Sequence, residues 1–130
     1  MAQTTPHKTA PSKTSKTSGP RMDACIDACT RCASECGACG TACLDEASQD
    51  MIACAKACLD CQQICMLAAS FMQRFSVLHA VICRACAEVC DACARECDRH
   101  ASRYEHCRQC AEACRACASE CRRAAGVVTS

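Results

Sequence analysis

The sequence predicts an all-α fold, an antiparallel up-down-up-down four-helix bundle with a Cys-lined core. Two observations carry this. Twenty of the 130 residues are cysteine, and they recur at alternating steps of three and four, the spacing that lines one face of an α-helix. These stripes form four groups separated by short cysteine-free stretches, and short connections demand antiparallel neighbours.

Residues 1–20 read as a disordered N-terminal tail. They hold all three prolines and are rich in Ser, Thr and Lys, a composition that buries too little apolar area to offset the entropy of ordering. The bundle domain is then 21–130. Pro20 suits a first helical turn, so the first helix opens near Arg21. Its stripe is Cys25, Cys29, Cys32, Cys36, Cys39 and Cys43, with Gly37 and Gly40 between them, small residues that cost helix stability and suit close helix approach.

The second stripe is Cys54, Cys58, Cys61 and Cys65. Ser48 is its cap and Asp50 complements the helix dipole. The third is Cys83, Cys86, Cys90, Cys93 and Cys97, capped by Ser76 unless Ser70 to Ser76 continue as kinked helix. The fourth is Cys107, Cys110, Cys114, Cys117 and Cys121, opened by a capping box of Ser102 and Glu105 and closed by Gly126. Between the stripes lie mostly Ala and charged or amide residues, which suit an outer face.

With no Trp, one Tyr, two Phe and fifteen Leu, Ile, Val and Phe together, the chain lacks the aliphatic material of an ordinary bundle core. Cysteine must supply the interior. The spacing is also that of a heptad seam, but Leu in those positions buries far more apolar area. Packing alone therefore does not explain the choice of thiol, and its chemistry must.

Fifteen basic residues balance fourteen acidic ones, which leaves no electrostatic footprint for nucleic acid or an anionic membrane. The tail lacks the apolar stretch of a secretory signal, and no stretch approaches membrane-spanning length, so a cytoplasmic location is expected. In that compartment thiols stay reduced. Neighbouring cysteines on one helix face also project side by side rather than toward each other, which argues against a disulfide scaffold.

A reduced thiolate is a soft donor for Cu(I), Zn(II) or an iron–sulfur cluster. Structural zinc generally uses paired knuckles on turns, whereas here the stripes run uninterrupted along helices. Iron–sulfur motifs use consecutive CxxC steps and a proline, both absent among these cysteines. Cu(I) takes two or three thiolates with little geometric demand, so a bridged ladder reaches about one ion per thiol. One monovalent ion per thiolate also neutralises buried charge.

Over about residues 21–125, the CxxxCxxC motif repeated on four helices resembles the cytosolic copper storage proteins, four-helix bundles that line their core with Cys and fill it with Cu(I). The resemblance implies all twenty cysteines as ligands, multiple Cu(I) ions per chain and a homo-tetramer. Copper donor or acceptor proteins are then the partners to expect.

Seven of the fifteen large apolar residues, Leu67, Phe71, Phe75, Val77, Leu78, Val81 and Ile82, surround the connection of helices 2 and 3 and are expected to plug that end. At the other end Met51 continues the second stripe, His100 continues the third and His106 lies one turn before Cys110. Thioether and imidazole hold Cu(I) more weakly than thiolate, as a mouth requires. Met22, Met72 and His79 continue stripes at the plugged end, and count against a single mouth. His7 lies in the tail.

No nucleophile with a paired base, phosphate loop or carboxylate pair is present, so storage and detoxification without catalysis is the leading function. A Cu(I) transfer chaperone, a zinc or soft-metal buffer and a CxxC redox enzyme are the alternatives.

Overall fold

The computed structural model describes residues 11–46 and 48–126, with side chains from Met22 onward. It contains four helices, α1 (Pro11–Glu46), α2 (Gln49–Gln73), α3 (His79–Asp98) and α4 (Glu105–Ala125), and no strand among the described residues. Each helix packs on two others in the order α1, α2, α3, α4 and back to α1. This is the expected up-down-up-down bundle. Residues 1–10 of the expected tail lie outside the described residues. α1 begins at Pro11 rather than near Arg21, and Pro20 falls inside it. A helix that is already nucleated extends cheaply, and a proline within it removes one N–H donor.

The stripes fix the register. Cys25, Cys29, Cys32, Cys36 and Cys39 of α1 lie 3.6 to 3.9 Å, sulfur to sulfur, from Cys121, Cys117, Cys114, Cys110 and Cys107 of α4. Ascending α1 and descending α4 use the same order of steps, four, three, four, three. α2 and α3 match likewise, with Cys54, Cys58, Cys61 and Cys65 at 3.6 to 3.9 Å from Cys97, Cys93, Cys90 and Cys86. Continued outward, that register puts Met51 level with His100, and Met72 level with His79. On the surface, Arg115 pairs with Asp98 at 2.9 Å and Arg122 with Asp91 across α3 and α4.

Two of the expected boundaries form as read. The Ser48 hydroxyl accepts from the Met51 N–H at 3.4 Å, with Asp50 in the first turn, and Gly126 ends α4 at φ 78°, a left-handed conformation that glycine adopts without strain. Two form differently. The N-terminal flank of α3 is Leu78, which makes no side-chain cap. Ser76 instead accepts from the Leu78 N–H at 3.0 Å, so it closes the turn ahead of α3, and the kinked continuous helix is also excluded because α2 stops at Gln73. The expected Ser102/Glu105 box does not form. Tyr104 occupies the cap position with extended backbone, while Glu105 accepts from Arg108 at 2.9 Å and Gln109 at 3.1 Å.

α2 is long and apolar enough, by length and composition, to cross a membrane, which corrects the expectation that no stretch approaches that length. Its apolar character comes largely from Cys, Ala and Met, and the stripe face is buried among the other helices.

Gly37 and Gly40 lie on the close approach of α1 to α2. A Cβ at Gly37 would meet the Gln62 amide nitrogen at 2.5 Å, and one at Gly40 would meet the Cβ of Cys58 at 3.4 Å. Gly40→Ala therefore fits, and removes the cost of glycine inside a helix, roughly 0.5–1 kcal/mol. Gly40→Val pushes two methyls toward α2 and is expected to cost about 1–3 kcal/mol. Denaturant unfolding of the two variants against the parent protein checks this pair of opposite signs.

Candidate metal centre

Every one of the twenty cysteines is a free thiol buried in the core, with at most 1% of its surface exposed. Alanine fills much of the remaining interior, at Ala55, Ala68, Ala87, Ala111 and Ala118. The sulfurs do not form isolated pairs. Cys61, for example, lies 3.6 Å from Cys90, 3.8 Å from Cys32, 3.8 Å from Cys114 and 3.9 Å from Cys65, so one thiol of α2 touches all three other helices and its own next turn. Repetition of such contacts makes a continuous sulfur lattice along the bundle axis.

Groups of four converge within it. Cys32, Cys36, Cys61 and Cys114 lie mutually within 4.8 Å, as do Cys39, Cys58, Cys97 and Cys110. Uninterrupted helical stripes, set above against the knuckles of structural zinc, therefore do bring four sulfurs together. They do so by drawing on three helices in the first group and all four in the second, which the spacing on a single helix does not reveal. Charge then separates the candidate metals. A divalent ion in four thiolates leaves two negative charges in a core where, among the described residues, the one buried polar or charged residue is His100, whereas one monovalent ion per thiolate leaves none.

The thiols are coupled through shared protons. Cys36 is pushed well above the ordinary cysteine value, first by its contacts with Cys110 and Cys114, and Cys110 is drawn below it, first by Cys114 and then by Cys36. A proton held on one sulfur stabilises a thiolate on the next, so the set cannot ionise together. At the end expected to be the mouth, burial is the first cause that raises Cys43 and Cys107. A metal that binds here must displace protons.

The three weaker donors expected at that mouth lie at the same end of the bundle, in the first turns of α2 and α4 and just after α3. Met51 is buried at 1% exposure. His106 places Nδ1 3.3 Å from the Cys39 sulfur, and its Nε2 is buried without a partner. His100 is 2% exposed, its Nε2 is 3.1 Å from a Glu96 carboxylate oxygen, and its Nδ1 is buried without a partner. The role of Glu96 was not anticipated, although its i, i+4 spacing to His100 is the signal for it. A carboxylate that receives one ring N–H leaves the other nitrogen as a free lone pair, the usual arrangement behind a metal-binding imidazole. Tyr104, likewise unanticipated, packs its ring 5.4 Å from that of His106.

The expected plug at the opposite end is not built from the seven large residues named for it. Leu67, Phe75, Val77, Leu78 and Val81 are exposed, Val77 at 92%, while Phe71 is half-buried and Ile82 packs partly against the core. The physical reason is register. The α2 stripe continues through Ala68 and Met72, both fully buried, and Leu67 and Phe71 fall beside it.

A helical bundle whose interior is a connected lattice of reduced thiols, with imidazole and thioether at one end, defines a soft-metal-binding protein of high capacity. The chain matches the copper storage protein family over residues 18–126 and belongs to it. A Streptomyces lividans copper storage protein, Ccsp, loaded with 10 copper equivalents, is 38% identical with TM-score 0.76, covering 83% of this chain and 86% of that one. Apo copper storage protein 3 from Bacillus subtilis is 41% identical with TM-score 0.71, covering 79% and 97%. The Bacillus subtilis cysteine-rich protein YhjQ is 41% identical over 67 residues, 51% of this chain and 62% of that relative's length.

Proposed function

We propose that this protein stores and detoxifies Cu(I) in the cytosol, with its twenty cysteines as ligands and multiple ions per chain. The carrying observation is the sulfur lattice itself, twenty free buried thiols in contact across all four helices. Each thiolate bridges neighbouring ions, and capacity approaches one ion per thiol, about twenty. Met51, His100 and His106 act as the mouth, where weaker donors accept an ion and pass it to Cys39, Cys43, Cys54, Cys97 and Cys107. The cytosolic designation of a Streptomyces lividans neighbour agrees with the location.

The unit that stores is residues 21–130, with 1–20 as an appended tail. A homo-tetramer of bundles is the proposed assembly, and copper donor or acceptor proteins exchange ions at the mouth. The protein acts as a store rather than an enzyme. Anaerobic titration of the fully reduced protein with Cu(I) against a strong chelator tests this. About twenty tightly held ions, with protons released and helical circular dichroism unchanged, is the expected result. Saturation near one ion would favour a transfer chaperone, and preferential retention of Zn(II) in competition would favour a zinc buffer.

A further inference from the structure

We propose that the bundle end at the α2–α3 turn is a second port for soft monovalent metal, with Met22, Met72 and His79 handing ions to the core. The inference rests on the storage reading and concerns only how ions reach the lattice.

The large apolar residues of this end stand around the core rather than over it, with Val77 at 92%, Leu78 at 57% and Phe75 at 41% exposure. Beside them opens a cavity of about 250 Å³ lined by Met22, Phe75, Ser76, Val77 and His79. Met22 also packs against the buried cluster, so one thioether belongs to both the cavity and the core. Met72, fully buried, is level with His79 in the α2/α3 register. The far end of that ladder, Met51 level with His100, has the same pair of donor types. The next sulfurs inward are Cys25 and Cys121, 3.6 Å apart, with the buried Cys83 of α3 the nearest stripe thiol on that helix. Three thiols drawn from three helices are a sufficient first store for a Cu(I) ion.

His79 supplies the movable donor. Its Nδ1 lies 3.2 Å from the Ser76 carbonyl oxygen and its Nε2 3.2 Å from that of Ala124. Both partners are acceptors, and a neutral imidazole carries a single N–H. In the neutral ring one nitrogen therefore faces a carbonyl without a hydrogen between them, and that lone pair gains by turning to a cation. The remaining N–H keeps the ring tethered while it does so. Thioether and imidazole release Cu(I) to thiolate, which gives transfer its direction.

Initial uptake of Cu(I) from a weak chelator, followed anaerobically by copper–thiolate absorbance, tests the port on the full-length protein. The Met51→Leu/His106→Leu variant is expected to retain a residual initial rate. Adding Met22→Leu and His79→Gln should cut that residual rate by roughly tenfold or more, the usual scale for losing metal-shell groups. A residual rate that those two substitutions leave unchanged would overturn the port. Because substituted bundles can misfold, methyl NMR of the unsubstituted protein gives an independent reading. The Met22 and Met72 methyls should shift with the first equivalents of Ag(I), and methyls that stay fixed until the core is saturated would also overturn it. Equilibrium capacity of the unsubstituted protein, measured separately, reports on storage alone.

Discussion

Cu(I)-loaded protein is expected to unfold at a far higher temperature than the apo form, by tens of degrees and beyond the range of an ordinary scan. The apo core is held by small groups. Among the described residues its buried groups are Cys, Ala, Gly40, two Met and one His, and the Cys and Ala that dominate it contribute less burial energy than the Leu or Phe of a usual bundle. Copper acts on this weak interior by mass action, since it binds the assembled lattice and loses its bridged geometry when the chain unfolds. A site at a hundredfold excess over its dissociation constant adds about 2.7 kcal/mol, so ten independent sites add roughly 27 kcal/mol. That exceeds the roughly 5–15 kcal/mol that holds a typical domain together. Calorimetry at increasing copper equivalents checks this, and the midpoint should climb with every addition until the thiols are filled. A midpoint that stops rising after the first ion would mean that the sulfurs do not act as one store.

The second large effect is a loss of apo stability at alkaline pH. Burial raises Cys43 and Cys107 above the ordinary value of 9.0, and contacts with neighbouring thiols raise Cys36, Cys97 and Cys117. The folded chain thus keeps protons that the unfolded chain gives up near pH 9. Above that point the unfolded state binds fewer protons, so unfolding becomes easier as pH rises. Stability from these groups is complete below the unfolded value and is lost progressively above it, toward the folded ones. Apo protein should therefore show a steady fall in thermal midpoint from pH 8 to pH 10. The loaded protein, whose thiolates already carry copper instead of protons, should show little change over the same interval. A flat apo profile would mean that burial and neighbouring sulfurs do not hold protons on Cys43, Cys107, Cys36, Cys97 and Cys117.

Much of this architecture is legible in the chain because cysteine occupies the seam and almost nothing else. A residue type confined to one face reports that face directly, which is why all twenty sulfurs point inward as read. The pairing of helices was legible too. Short connections make sequential helices antiparallel neighbours, whereas the step order alone does not choose partners, because the steps descending from Cys121 and from Cys97 both match those ascending from Cys25.

The remainder depended on competition between neighbours. Ser102 and Glu105 have capping-box spacing, but Arg108 and Gln109 claim the carboxylate and the extended backbone of Tyr104 takes the cap position. Leu67 and Phe75 looked like a plug because large apolar residues are usually buried. Here the seam positions beside them are held by Ala68 and Met72, and the larger side chains remain outside. Convergence of four thiols from three or four helices required the helices to be placed, since no single stripe contains it.

Anomalous diffraction at the copper edge, from crystals grown of the anaerobically loaded protein, tests the central claim most directly. Copper peaks should run along the bundle axis between the matched sulfurs of α1 with α4 and α2 with α3, from the Cys39–Cys107 level to the Cys25–Cys121 level. Copper confined to the outer surface, or an axis without copper whose sulfurs are joined as disulfides, would contradict it.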